Sequence, residues 1–205
     1  MRRRSIVGLT ENIAFVRSHL ETYAEGYHRM SVASEGGGAG VPPEMFEGDV
    51  DDEDWVAWRM LPSTLSDSDV SQMETEFAIQ LPPLFRAYLL AGFQLFDQIQ
   101  SSRHDQLIFN TDVPSNNPFG PIRQLINAWK PLLSADFVPF AQWGDGWGPM
   151  CFDSANRAAD GDCSIVWMDH ELLAPLGPDK CADRDLVMPH VNPLYDSYRD
   201  FFSHA

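Results

Sequence analysis

Positive charge is scarce in this chain. Lys and Arg number 14 against 30 Asp and Glu, giving a formal net charge of −16 and a pI near 4.5 over 205 residues. A protein that binds free nucleic acid neutralises phosphates with a cationic face, and this balance excludes that class. An anionic surface repels phosphate and steers basic partners towards itself, though the same surplus also serves plain solubility. Long apolar runs are missing as well: no stretch approaches the roughly 20 residues of a membrane helix. The opening MRRRS has the basic character of a signal-peptide start, but the apolar residues 6–9 are too few and Thr10, Glu11 and Asn12 follow at once. Cysteine is sparse and odd in number. Cys151, Cys163 and Cys181 include no Cys-x-x-Cys pair, which fits neither a disulfide framework nor a zinc ribbon. Reduced thiols in a cytoplasmic protein are the simplest account.

What is present suffices for a core. Hydrophobic residues make up 44% and aromatics 12%, and the length suits one domain with a modest extension. Residues 9–30 read as a helix, with Thr10 as N-cap, Glu11 in the first turn and an apolar stripe of Ile13, Val16, Leu20 and Tyr23. Gly36, Gly37, Gly38 and Gly40 ahead of Pro42 and Pro43 read as a linker that ties this helix only loosely to the rest. Residues 44–54 carry seven carboxylates and no basic residue. Such a block is ordinarily a solvated, mobile segment. The sharper reading is a docking strip for a cationic partner, formed by Asp49, Asp51, Asp52, Glu53 and Asp54 with Trp55 and Trp58 as aromatic anchors. Those two Trp residues serve equally well as the first buried residues of the main domain. The expected division is therefore 1–54 (helix, linker and acidic segment) and 55–205 (main domain).

From about residue 60 the pattern is globular. Ser66 caps a helix with Asp69 in the capping-box position, and Val70, Met73 and Phe77 form its apolar face. Pro82 opens a second helix that buries Leu84, Phe85, Tyr88 and Leu89, and Gly92 is placed to stop it in a left-handed conformation. Residues 106–112, 136–144, 148–153 and 163–169 read as strands. A helix over 121–133 presents Ile122, Leu125, Ile126 and Trp129, and a closing helix presents Leu194, Tyr198, Phe201 and Phe202. Helices flanking consecutive strands mean α+β rather than alternating β and α.

The stretch WGDGWGPMCFD, residues 143–153, raises the question of chemistry. A calcium loop counted from Asp145 fails at its third position, where Trp147 stands. A P-loop needs Gly-Lys-Ser/Thr, and no lysine lies between Lys130 and Lys180. Gly144, Asp145, Gly146 and Gly148 instead suit a corner between two strands, where glycine tolerates positive φ. Asp153, Asp160, Gly161 and Asp162 belong to a polar loop and its turn, and a calcium site wants six or more ordered oxygens. His170 beside Asp169 and Glu171 is a general-base candidate, but no Gly-x-Ser-x-Gly elbow accompanies it. The six histidines lack zinc spacing. These residues lead to no enzyme, cofactor or metal.

In register, Met73-Glu74, Phe77, Ile79, Leu81-Pro82, Leu89-Leu90 and Gly92 resemble the opening signature of the SUKH superfamily, the Smi/Knr type. The segment FVPFAQWGDGWGPMCFD, with Pro139, Gly144, Asp145, Gly146 and Asp153, is similar to that family's proline-containing strand, turn and following strand. CSIVWMDHE, with Trp167, Asp169, His170 and Glu171, matches its closing strand. The resemblance spans about residues 60–204. It implies a single SUKH-like α+β domain with helices packed around a mainly antiparallel central sheet, here with an N-terminal helical extension. It also implies a bacterial immunity protein, without enzymatic activity or cofactor, that neutralises a cognate toxin by direct protein–protein binding in bacterial competition. Many toxins of such polymorphic systems are nucleases or otherwise modify nucleic acid. The alternative within the family is a regulatory adaptor of cell-wall synthesis and signalling. Within the resemblance Glu74, Asp145 and Asp153 read first as capping and turn residues. The charge then gains a meaning: a nuclease cleft is cationic, and an acidic protein is steered into it. The partner expected is a toxin with a basic surface, with no nucleic acid or membrane bound directly.

Overall fold

A computed structural model describes residues 8–24, 29–32, 40–144 and 146–204. The chain forms two compact units: residues 1–73, 84–95 and 112–120 in the first, and 74–83, 96–111 and 121–205 in the second. The fold class is α+β, and its largest sheet is antiparallel throughout.

In the first unit, helix α1 (Leu9–Ala24) buries Val16 and Leu20 as the stripe predicts. Its N-terminus differs from the expectation. Gly8 takes the cap position, and Glu11 reaches back to accept from the Gly8 N–H at 3.1 Å, the reciprocal half of a capping box. Residues 25–28 lie outside the described set, and Arg29 and Met30, expected as helix, form strand β1 (Arg29–Ser31) against β2 (Trp55–Ala57). The helix is also not loosely tied: Val16 is fully buried and Arg17 Nε donates to the Ala91 carbonyl at 2.9 Å. The linker glycines 36–38 fall outside the described residues, while Val41 at its far end is buried.

Helix α2 (Asp67–Phe77) begins as expected, the Asp69 carboxylate accepting from both the Ser66 N–H and its hydroxyl. It ends on Ala78, whose φ of 53° is left-handed. Within this segment Glu74 turns its carboxylate onto the Leu81 N–H at 2.8 Å, holding the chain that leads to the next helix. Ala78→Gly is expected to stabilise the protein by about 0.5 kcal/mol, because glycine escapes the left-handed penalty and loses only part of that gain to backbone entropy. Urea unfolding checks it; a lower midpoint contradicts it.

Helix α3 (Pro83–Ala91) starts on Pro83, one residue later than expected, and is buried nearly all round, as a core helix must be. Gly92 does not stop it by a left-handed turn, since its φ is not positive. The requirement is space: a Cβ there would stand 3.2 Å from the Leu61 carbonyl oxygen, where residue 93 bridges residue 61.

The second unit holds a six-stranded meander, β3 (Gln98–Ser101), β4 (Gln106–Asn110), β5 (Phe137–Trp143), β6 (Gly148–Asp153), β7 (Ile165–Met168) and β8 (Val191–Tyr195), each strand antiparallel to the next. Four of these match the expected strands; β3 and β8 were not anticipated. β6 is buried at every position and β5 at all but one, so both are apolar along most of their length, Gln142 and Asp153 excepted. Pro139 sits inside β5 because the register slips beside it, between Pro139 and Ala141, which removes the demand for an N–H. One sheet face carries Phe140 stacked on Phe152 at 4.1 Å, closed by Tyr198 and Phe201. The opposite face packs Phe137, Cys151, Val166 and Met168 against Leu132, Ala135, Leu173 and Val187. Helix α4 (Gly120–Ala128) is shorter than expected, because Pro131 turns the chain into a 3-10 segment, Lys130–Ala135. Short helices α5 (His170–Leu173), α6 (Gly177–Cys181) and α7 (Arg184–Val187) precede β8. Leu194, expected in the closing helix, lies in β8; α8 (Tyr198–Phe202) starts after Ser197, whose hydroxyl accepts from the Asp200 N–H.

Candidate partner-binding surface

The acidic segment is ordered structure, not a solvated tether. Met45 is fully buried, the Glu47 N–H donates to the Ala57 carbonyl at 2.7 Å and the Arg59 N–H to that of Met45 at 2.9 Å. The chain therefore runs back along β2 and turns over residues 51–54. Asp51 builds that turn. One carboxylate oxygen accepts from the N–H of Glu53 at 3.0 Å and of Trp55 at 2.8 Å; the other accepts from the Arg29 guanidinium. The Trp55 N–H, followed by burial and the other donors, sets its titration, and the net effect holds this carboxyl below the usual range. Asp54 takes a left-handed φ of 61°, which a short polar side chain tolerates.

The predicted contact residues thus divide. Asp51 is occupied in shaping the turn. Asp49, Asp52, Glu53 and Asp54 are exposed, beside Val50 at 39% and Trp55 at 43%. Trp58 is 5% exposed and bridges Phe46, so it is a core residue and no surface anchor. The turn is an ordered anionic projection with an indole at its base.

The residues singled out by the resemblance lie elsewhere. Leu81 and Pro82 are buried ahead of α3, where Glu74 holds the backbone. Asp153 is 6% exposed; it takes the Arg184 guanidinium on both oxygens at 2.8 Å and the Asn156 amide at 2.8 Å. Asp160 accepts from the Asp162 N–H, and Asp162 accepts from the N–H groups of Cys163, Tyr198 and Arg199. The loop's aspartates therefore serve separate backbone and ion-pair duties. Asp169 caps α5, accepting from the Glu171 N–H at 2.8 Å, and His170 Nδ1 lies 3.0 Å from the Trp147 carbonyl. Among the described residues no group of three or more His, Cys, Asp and Glu is disposed to hold a metal ion. Burial raises all three thiols, Cys163 to about 11, so each is protonated at neutral pH.

The glycine stretch is the expected corner. Gly144, Gly146 and Gly148 have φ of 59°, 76° and 149°, and the Trp147 N–H closes the turn onto the Trp143 carbonyl at 3.1 Å. Asp145 lies outside the described residues. The turn also has an aromatic consequence beyond its structural role: Trp147 is 52% exposed. The signal was available as a second indole inside a glycine turn, where no core position awaits it.

Stability should follow the carboxylates that gain partners. Glu44 is held low by Ser115, Asp51 by the Trp55 N–H, Asp69 by Ser66 and Asp200 by Arg103. A carboxyl lowered in the folded state adds stability above its unfolded pKa, near 4, and loses it as pH falls through the folded value. Asp97, raised by burial, opposes this, stabilising the fold as pH falls. With four groups against one, the melting temperature should decline steadily from about pH 4 downwards. A flat or rising profile contradicts the assignment.

No family model matches the chain, and no curated protein matches it significantly. No helix among the described residues is long and apolar enough to cross a membrane.

Proposed function

We propose that this chain is a SUKH-type immunity protein that binds and neutralises a cognate toxin in the cytoplasm by direct protein–protein contact, without catalysis of its own. The observation carrying this is the ordered acidic turn. Asp49, Asp52, Glu53 and Asp54 are exposed on and beside a turn that Asp51 closes through the Glu53 and Trp55 N–H groups, with Trp55 and Val50 exposed beside them. A mobile acidic tail would spend entropy on ordering when it bound. A preformed one does not. With a net charge of −16, the molecule is steered towards a cationic cleft such as that of a nuclease.

Co-expression with the toxin encoded beside its gene tests the reading: cells should survive. Death despite soluble, abundant protein overturns it and favours the adaptor role. Replacing Asp49, Asp52 and Asp54 with Asn and Glu53 with Gln, with Asp51 kept, should slow association with the toxin roughly tenfold at low salt and flatten its salt dependence. Stopped-flow measurement decides it; unchanged kinetics remove the turn from the interface.

A further inference from the structure

A second surface lies at one end of the six-stranded sheet. Trp143 of β5 and Trp167 of β7 stack with centroids 5.9 Å apart and 25° between planes. His104, from the β3–β4 turn, meets the Trp143 ring edge-on at 5.4 Å. A Cβ added to Gly144 would stand 3.0 Å from Cδ2 of Trp147 and 3.2 Å from Nε2 of Gln106, so the Trp147 indole lies over the turn beside Gln106. Gln106 is two residues before Ile108, whose register partner is Trp143. Strand alternation therefore puts Gln106 on the same side as Trp143. Three indoles and an imidazole share this end of the sheet.

Among the described large apolar side chains Trp147 is the most exposed, at 52%. Its backbone is pinned: the carbonyl meets the His170 N–H at 2.9 Å and His170 Nδ1 at 3.0 Å, and the N–H donates to Trp143 at 3.1 Å. An indole on a fixed backbone loses little freedom when it binds, which is why such rings anchor interfaces. Acidic residues adjoin the two histidines of this surface in sequence. Asp105 follows His104, and Asp169 and Glu171 flank His170. The neighbouring Arg103 is taken up by both Asp200 oxygens at 2.6 Å and lies over Tyr195.

We propose that this aromatic end of the sheet is a second contact surface for a cationic protein, with the exposed Trp147 ring receiving an arginine or lysine side chain on its face. A cation over an indole is attracted by the ring quadrupole, and the chain's net charge of −16 raises the local concentration of cations. The inference rests on the proposed function only in taking the partner to be cationic.

The test uses the 15N-labelled full chain, whose six Trp residues give separate indole N–H signals. The probe is a short Arg-Gly repeat peptide, with a citrulline-Gly peptide of equal length as the neutral control and a soluble oligosaccharide as a further control. The expected result is a saturable shift of the Trp147 and Trp167 signals by the arginine peptide, weaker with citrulline and reduced by salt. Trp147→Ala should weaken apparent affinity about three- to fivefold, while Trp147→Phe largely retains it. Melting temperatures recorded alongside identify a variant that fails to fold, and Glu171→Gln with Asp105→Asn should then show the same weakening. No shift, an equal shift with citrulline, a response to oligosaccharide alone, or a response confined to Trp55 overturns the proposal. Failed toxin rescue with the Trp147 shift intact removes the immunity reading and leaves this surface standing. Successful rescue with no shift at Trp147 does the reverse.

Discussion

Replacing Gly148 with alanine is expected to destabilise the protein by about 4 kcal/mol, combining left-handed backbone strain with overpacking of a closed site. Gly148 opens β6 with φ of 149°, and a Cβ there would lie 1.9 Å from the Met168 carbonyl oxygen and 3.0 Å from the His170 N–H. Both obstacles are backbone, so no rotamer change relieves the overlap. The chain after β7 would have to move away from β6, breaking the bond from His170 N–H to the Trp147 carbonyl. For a protein of this size the melting temperature should fall by roughly 10 °C. Gly146→Ala is the control. Nothing lies within 4 Å of its Cβ and only its φ of 76° is unfavourable, so it should cost about 1 kcal/mol. Equal losses at the two positions would show that steric closure at Gly148 is not the cause.

The second large effect is expected at Asp153. Arg184 Nη2 donates to both oxygens of the Asp153 carboxylate, with side-chain exposures of 8% for Asp153 and 23% for Arg184. Arg184 also donates to the Ala135 carbonyl at 3.0 Å and lies 4.5 Å above the Phe137 ring. Asp153→Ala strands that guanidinium against the apolar face, at a cost of about 3 kcal/mol, the low end for a buried pair because Arg184 keeps some access to water. Asp153→Leu with Arg184→Met should recover much of the loss, since apolar replacement of a buried pair is close to neutral. Denaturant unfolding of the single and double variants measures this directly. A double variant no better than the single one would mean the pair is not what makes Asp153 costly to remove.

These effects show where local sequence was a sufficient guide. Ser66 and Asp69 form their cap because the capping box needs only residues three apart. The apolar runs of β5 and β6 are strands because no helical stripe accommodates them. Gly144, Gly146 and Gly148 turn because glycine takes positive φ without a Cβ penalty. Together these determined the α+β class and placed the corner between β5 and β6. Within the resemblance Asp153 and Glu74 read as structural residues, but their partners, Arg184 and the Leu81 N–H, lie too far along the chain to be read there.

Other features depended on residues distant in the chain. Strand β1 was hidden inside an apparent helix because its pairing with β2 crosses the glycine-rich segment. β8 was concealed by Pro193, which an edge strand accepts. Trp55 and Trp58 look alike three residues apart, yet one is exposed and the other buried; the strand pairing around them decided which. Asp51 was indistinguishable from its acidic neighbours until the turn gave it two backbone donors and Arg29. Composition and short-range pattern thus settled the charge, the caps and the class of fold by themselves. Which carboxylates build the turn and which face outward was decided only by tertiary structure, because that choice depends on donors brought together by long-range pairing.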